Sequence, residues 1–354
     1  MVTFPNIDTI NTVAGGRLIN IFDIANEAGV SKTTVSRVIN NQPGVKEETR
    51  IKVLDVIEKL NYVPNQAARS LVSRRSGVIG VIYNEFNTSV YLKLANLLEK
   101  YAAAYNYNIV FSSSNDDYNA KARYVQYFSG GAADGLILFG SDKGDRELVE
   151  RVLNAKFPLV LIENYFNDME VNDVLIDNFS GAKNAVNYLI GLGHRKIAHI
   201  TGNINHMAAS ERMNGYIVAL NENGIDYNKD YVVFTEAGEQ SGFQAVEKLM
   251  GLKERPTAVF TFNDIQGYEV IQKAVELGLR IPEDLSVVGF DNICDILRFI
   301  PSNVRLTSMK QPMEKVAEAA IGLMMKNIEN HRTKPEILTF ESEIYLGTSC
   351  CEIK

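Results

Sequence analysis

The sequence predicts an all-α helix-turn-helix head followed by an α/β core of two similar lobes. Three observations carry that expectation. Residues 21–40 read as two short helices meeting at a glycine turn. From Gly77 onward, short apolar runs alternate with amphipathic segments. The charge also divides: the net value is −7, yet residues 1–76 hold ten Lys/Arg against seven Asp/Glu, and the remainder 26 against 36. A positive head on an acidic body is the balance that phosphate attraction requires.

In chain order, residues 1–18 read as a flexible leader, 19–64 as the head, 65–76 as a hinge helix and linker, and 77–354 as the core. In the head, Ala25 lets two helices approach, Gly29 takes the turn and Val35 ties the second helix to the first. Ser31 is a natural N-cap for SKTTVSRVIN. At roughly 100° per residue, Lys32, Thr33, Ser36, Arg37 and Asn40 share an arc of about 140°, with Val35, Val38 and Ile39 opposite. An apolar back and a short basic front suit a helix that enters the DNA major groove. A third helix starts near Lys46 and carries Ile51, Leu54, Val56, Ile57 and Leu60 as an apolar stripe, and Pro64 ends the unit. Asn65 then caps a short segment, QAARSLVS, with only Leu71 and Val72 large. By itself it is too short to hold a helix in water.

In the core, the runs GVIGVIY, NIVFSSS, GLILFG, PLVLIE, VLID, KIAHITG, YVVF, AVFTF and LSVVGFD are continuous apolar strands. Helical segments separate most of them, including Ser89–Asn106, Asn178–Gly191, Ser210–Asn223, Glu239–Met250 and Asp264–Gly278. That alternation predicts parallel sheets covered on both faces. Two groups of about five strands give two lobes, the first about 77–175 with 307–335, the second about 176–306 with 336–354. Ligands of such sheets bind beyond the carboxyl ends of the strands, so two facing lobes enclose a cleft.

The remaining features exclude more than they assign. Cys294, Cys350 and Cys351 are odd in number and two are adjacent, so they read as reduced thiols. The histidines His194, His199, His206 and His331 form no metal-ligand spacing. No apolar run reaches the roughly 18 residues that span a membrane, and the first 17 residues lack a secretion-signal pattern. These features place the chain in the cytoplasm. No Gly-x-Gly-x-x-Gly loop follows the first strand, no Gly-Lys-Ser/Thr motif occurs, and no catalytic set or cofactor is expected. A transport-binding protein would carry an export signal and no DNA head.

The stretches IFDIANEAGVSKTTVSRVIN, LNYVPNQAARSL, DGLILFGS, LGHRKIAHITG, ERMNGY, FNDIQG, SVVGFDN and LTSMKQP, in that order, resemble the lactose repressor (LacI/GalR) family of bacterial transcriptional regulators. The likeness covers about residues 20–350. It implies a homodimer on a palindromic operator and a core of Rossmann-like lobes, similar to periplasmic binding proteins, that binds a small effector. It implies base reading by Lys32, Thr33 and Arg37, and phosphate contacts from Ser31, Thr34, Ser36, Asn40, Tyr62 and Asn65. Arg can grip guanine through two acceptors, and Thr can meet a thymine methyl. Leu71 matches the wedge that kinks the minor groove. Phe22 stands where many members have a phosphate-contacting Tyr, so one hydroxyl contact is lost.

For the effector, the resemblance points to Arg212, Asn263, Asp291 and Gln311, with Glu163 where the family more often has Asp. Tyr91, in a first-lobe loop that departs from the family pattern, would stack on a ring face, with Phe86 beside it. His206 and Ala208 stand where purine-binding relatives have Arg and Thr, which argues against a purine. The function implied is a repressor of carbohydrate-utilisation genes; the alternative is a global regulator gated by a protein corepressor or a non-sugar metabolite. The residues before Lys354 contain no leucine heptad on which to build a tetramer.

Overall fold

Three helices packed on one small core make the head. The first, α1 (Ile21–Ala28), opens with a reciprocal cap. Asn20 Oδ1 accepts the Phe22 and Asp23 amides, and Asp23 Oδ2 accepts the Asn20 amide at 2.8 Å. Gly29 ends it with a left-handed φ of 65°, which a Cβ would strain. The second, α2 (Lys32–Ile39), starts behind Ser31, whose Oγ accepts the Thr34 amide at 3.1 Å. The third, α3 (Glu47–Lys59), closes the unit.

Ile24, Ala25, Ala28, Val35, Val38, Val53 and Val56 are buried together, with Ile57 and Leu60 packed against them. This corrects the stripe expected on α3, because Ile51 and Leu54 are exposed. Apolar residues at 51, 53, 54, 56, 57 and 60 contain two overlapping helical faces. Packing against α1 and α2 selects the 53-56-57-60 row.

The structure, a computed structural model, describes residues 19–62, 75–84, 89–115, 117–140, 143–164, 166, 168–204, 206–235, 241–293, 303–330 and 334–353. The leader 1–18, Asn65, Leu71 and Phe86 lie outside the described residues. The chain divides into two compact units, 1–76 and 77–354.

In the second unit, β1 (Val78–Tyr83), β2 (Asn108–Ser113), β3 (Gly135–Phe139), β4 (Leu159–Ile162) and β5 (Asn172–Ile176) share a sheet with β11 (Ile337–Phe340). Its order is β11-β5-β4-β3-β1-β2 and every pairing is parallel. The other sheet contains β6 (Ile197–Thr201), β7 (Val232–Phe234), β8 (Ala258–Thr261), β9 (Ser286–Asp291), β10 (Thr307–Lys310) and β12 (Glu343–Tyr345). Its order is β12-β10-β9-β8-β6-β7, parallel except for β12 against β10. The first sheet is covered by α4 (Ser89–Ala103), α5 (Tyr118–Tyr127), α6 (Arg146–Asn154) and α11 (Met313–Glu329). The second is covered by α7 (Asn178–Gly191), α8 (Met207–Glu222), α9 (Ser241–Met250) and α10 (Asp264–Glu276). Gly215 lets α8 lie against α7, since a Cβ there would sit 2.4 Å from the Phe179 carbonyl.

The nine apolar runs all become strands, but the lobe boundaries need correction at two places. Thr307–Lys310 pairs with β9 and belongs to the second lobe, not the first. Ile337–Phe340 pairs with β5 and belongs to the first lobe, not the second. A strand joins the sheet edge that offers it unpaired amides and carbonyls, and short local sequence does not encode which edge that is. The chain therefore crosses between lobes three times: after β5, after β10, and between β11 and β12.

Inside the first lobe, Asp173 on β5 is buried and its Oδ1 has no hydrogen-bond partner. Burial pushes its carboxyl up to about 8, Glu163 raises it further, and the Val174 and Asn164 amides offset part of this. The folded state therefore keeps a proton that the unfolded chain releases near pH 4. Stability from this group is full below that pH and is lost as pH rises through 8. Between pH 6 and pH 9 the loss is on the order of 2 kcal/mol. Urea unfolding of Asp173→Asn is expected to show a clearly flatter stability profile over this range than the wild type. Parallel profiles would mean that Asp173 ionises normally.

Candidate functional site

Two groups of side chains carry chemistry, one in each unit. In the head, Ser31, Lys32, Thr33, Arg37 and Asn40 are exposed, and Thr34, Ser36 and Tyr62 are half-buried. Ser31 and Thr34 hydroxyls lie 2.9 Å apart, and Asn40 Nδ2 reaches Ser36 Oγ at 3.4 Å. These polar groups hold the ends of α2 in shape while keeping a hydroxyl or amide at the surface. Ser31, Thr33, Thr34 and Arg37 line one groove with Gly44, Lys46 and Thr49. Lys46 and Thr49 were missed by the sequence reading; their position at the start of the third helix was the available signal. Among the described residues neither Lys32 nor Arg37 forms an ion pair.

The core site is built on strand ends and lobe crossings. Glu163 follows β4, with a left-handed φ of 58°. Its Oε1 accepts the Ile176 amide at 2.6 Å and its Oε2 accepts Asn178 Nδ2 at 2.9 Å. Asn178 begins α7 just past the first crossing, and its Oδ1 accepts Arg212 Nε at 2.9 Å. Arg212, on α8, donates from Nη1 to the Phe262 carbonyl at 2.5 Å, and the same nitrogen lies 3.9 Å from Asp291 Oδ1. Gln311, at the second crossing, donates from Nε2 to that Asp291 oxygen. The result is one polar row, Glu163–Asn178–Arg212–Asp291–Gln311, that runs from the first lobe into the second.

Aromatic rings fix the guanidinium in place. Its carbon stands 3.6 Å from the Phe290 ring centroid and 4.7 Å from that of Phe262. Burial lowers the Arg212 pKa, and Asp291, Glu163 and Tyr91 act in the opposite direction. Burial pushes Asp291 up to about 6 against the pull of Arg212 and Gln311. Glu163 is raised by burial and held back by its hydrogen bonds. Glu211, beside Arg212 on α8, is pushed up to about 7 by burial and by Glu163 and Asp177.

The structure thus brings Glu163, Arg212, Asp291 and Gln311 together. Asn178 was missed, although an asparagine straight after the strand VLID was a readable signal. Asn263 lies just past β8, beside this row, but is the N-cap of α10, its Oδ1 accepting the Gln266 amide at 2.9 Å. Among the described residues its side-chain amide nitrogen donates to no partner. Asp264 is not the cap of that helix. It is buried and accepts the Ile293 amide and the Ser308 hydroxyl. Tyr91 is half-buried against Phe139, ring centroids 4.9 Å apart, and against Tyr83 at 5.7 Å. It therefore belongs to an aromatic wall of the first lobe.

Two of the histidines, His194 and His199, have structural roles. His194 ties Thr257, Ser286 and the Cys351 carbonyl together. His199 is stacked on Phe260 and Tyr216, and burial pushes it down to about 4. No group of three or more His, Cys, Asp or Glu suited to a metal occurs among the described residues. No helix among them is long and apolar enough to cross a membrane.

Comparison with known proteins places both regions. Residues 20–65 match the bacterial regulatory protein (lacI) family and residues 186–350 a periplasmic binding protein-like domain. Catabolite control protein A of Priestia megaterium is 36% identical over 330 residues, 92% of this chain and 97% of that protein. The lac repressor dimer bound to operator and the anti-inducer ONPF superposes with a TM-score of 0.84 at 25% identity, covering 94% of this chain and 99% of that one. A transcriptional regulator CelR–cellobiose complex gives 0.71 at 28% identity, with the same coverages.

Proposed function

The chain belongs to the LacI family of bacterial regulatory proteins, and from that premise we propose that it represses carbohydrate-utilisation genes under control of a neutral sugar bound between the core lobes. As a member it is a DNA-binding transcriptional regulator with an effector-binding core. The observation that carries the finer reading is the polar row from Glu163 to Gln311. Planar amide, carboxylate and guanidinium groups side by side are what vicinal hydroxyls need, because each can form two hydrogen bonds at once. The likeness to a cellobiose-bound regulator supports a sugar.

The charge of the row supports a neutral one. Arg212 is matched by Glu163 and Asp291, and Glu211 and Asp177 add to the negative side. A sugar phosphate would meet these carboxylates, whereas hydroxyls can donate to them.

Sugar binding across the row would favour one lobe orientation and change operator affinity. Coupling of this kind is typically about 1–3 kcal/mol and is reciprocal. The operator would be palindromic and the protein a homodimer, since paired heads match paired half-sites. Lys32, Thr33 and Arg37 would read bases, with Ser31, Thr34, Ser36, Asn40, Tyr62, Lys46 and Thr49 on phosphates.

The test is thermal stabilisation across neutral mono- and disaccharides, sugar phosphates, uronates and nucleobases. A ligand that binds only the folded state raises the melting temperature as ln(1 + [L]/Kd). A neutral sugar is expected to raise it by several degrees at millimolar concentration. A response confined to phosphates or nucleobases would replace the sugar with another metabolite. Silence throughout would shift the reading to a protein corepressor.

A further inference from the structure

We propose that Phe22 is a positioning residue for operator reading, its ring face holding the Lys32 ammonium at the start of the recognition helix. This rests on the reading that α2 enters the major groove. Three observations carry it. Lys32 Nζ lies 4.7 Å from the Phe22 ring centroid, within the range of a cation–π contact. The ring is not part of the head core: Phe22 is 58% exposed, whereas Ile24, Ala25 and Ala28 of the same helix are buried. Its backbone is fixed, because the Phe22 amide donates to Asn20 Oδ1 at 2.8 Å inside the reciprocal cap that closes the first turn of α1.

Lys32 also stands at the wrong end of its helix for stability. It is the first residue of α2, where the unpaired amides and the helix dipole present partial positive charge. A carboxylate there would help the fold and an ammonium opposes it. The two carboxylates of α1 are engaged elsewhere: Asp23 in the cap, and Glu27 with Lys59 at 2.8 Å. The negative face of the Phe22 ring is the group that receives the ammonium. A flexible lysine restrained in this way loses less freedom when it meets a base edge, and an exposed ring is a low-entropy means of restraint.

The experiment uses the full-length protein and the duplex that the wild type enriches from a random palindromic library, with an unrelated duplex as the non-specific probe. Phe22→Ala and Phe22→Leu are each expected to weaken binding to the enriched duplex about fivefold, two heads acting together. Phe22→Tyr keeps the ring face and is expected to bind the enriched duplex at least as tightly as the wild type. In a Lys32→Ala background, Phe22→Ala is expected to have no further effect. Phe22→Ala and Phe22→Leu are expected to leave non-specific affinity and melting temperature unchanged.

Wild-type binding by Phe22→Leu would overturn the proposal, because bulk alone would then suffice. An undiminished effect of Phe22→Ala in the Lys32→Ala background would overturn it too, because the ring would then touch DNA itself. If Lys32→Ala leaves the enriched duplex bound as tightly, base reading by Lys32 fails and this inference falls with it. If only Lys32→Ala weakens binding, this inference alone falls.

Discussion

Arg212→Ala is expected to abolish the effector response and to destabilise the core by about 3 kcal/mol. The guanidinium is buried, hydrogen-bonded to Asn178 and to the Phe262 carbonyl, and 3.9 Å from Asp291. Removing it leaves Asp291 and Glu163 in a low-dielectric space with no counter-charge, and that penalty exceeds the worth of the contact itself. The sign of the pH dependence follows. Asp291 already stands at about 6, above its ordinary value, and without Arg212 it rises further. The variant's deficit is therefore smallest near pH 5, where the carboxyls carry protons, and grows as pH rises toward 8.

Urea unfolding at the two pH values checks the stability claim. The double variant Arg212→Met with Asp291→Asn separates structure from function. It removes both charges, so much of the stability should return while effector binding stays lost. A single Arg212→Ala variant that still responds to the wild-type effector within a few-fold would remove Arg212 from the site.

Arg37→Ala is expected to weaken operator binding by about 100-fold or more while leaving the core untouched. A bidentate arginine–guanine pair is worth about 1–3 kcal/mol, and a dimer makes it twice. Arg37 is exposed on the polar face of α2, beside Gly44, whose φ of 92° suits glycine. Its loss removes no buried contact, so the melting temperature and effector affinity should not move. Binding to unrelated DNA should fall far less than binding to the operator, since one cation per head among several is lost. Anisotropy titrations on the two duplexes measure the ratio. Equal losses on both would make Arg37 a phosphate contact.

Much of this site was legible because its residues follow strands. Glu163 and Asp291 could be placed at strand ends from the apolar runs before them, and Arg212 at the start of a helix beyond a strand, whereas Gln311 came only from the family resemblance. What linked them was not legible. Asn178 bonds both Glu163 and Arg212, yet it stands 15 residues from one and 34 from the other. The choice of Asn263 over Asp264 as the cap of α10 was equally closed to sequence. Both are competent caps, and burial of Asp264 against Ser308 and Ile293 decides it.

The sequence by itself determined the local elements: the glycine turn and serine cap of the head, the nine apolar strands, and the basic face of α2. These follow from backbone preference and hydrophobic period, which act over a few residues. The tertiary structure decided which face of α3 is buried, which sheet takes residues 307–310 and 337–340, and how five polar side chains join into one row. Those outcomes depend on which edge or surface a distant segment leaves unsatisfied, and pairing across more than a hundred residues leaves no periodic mark in the chain.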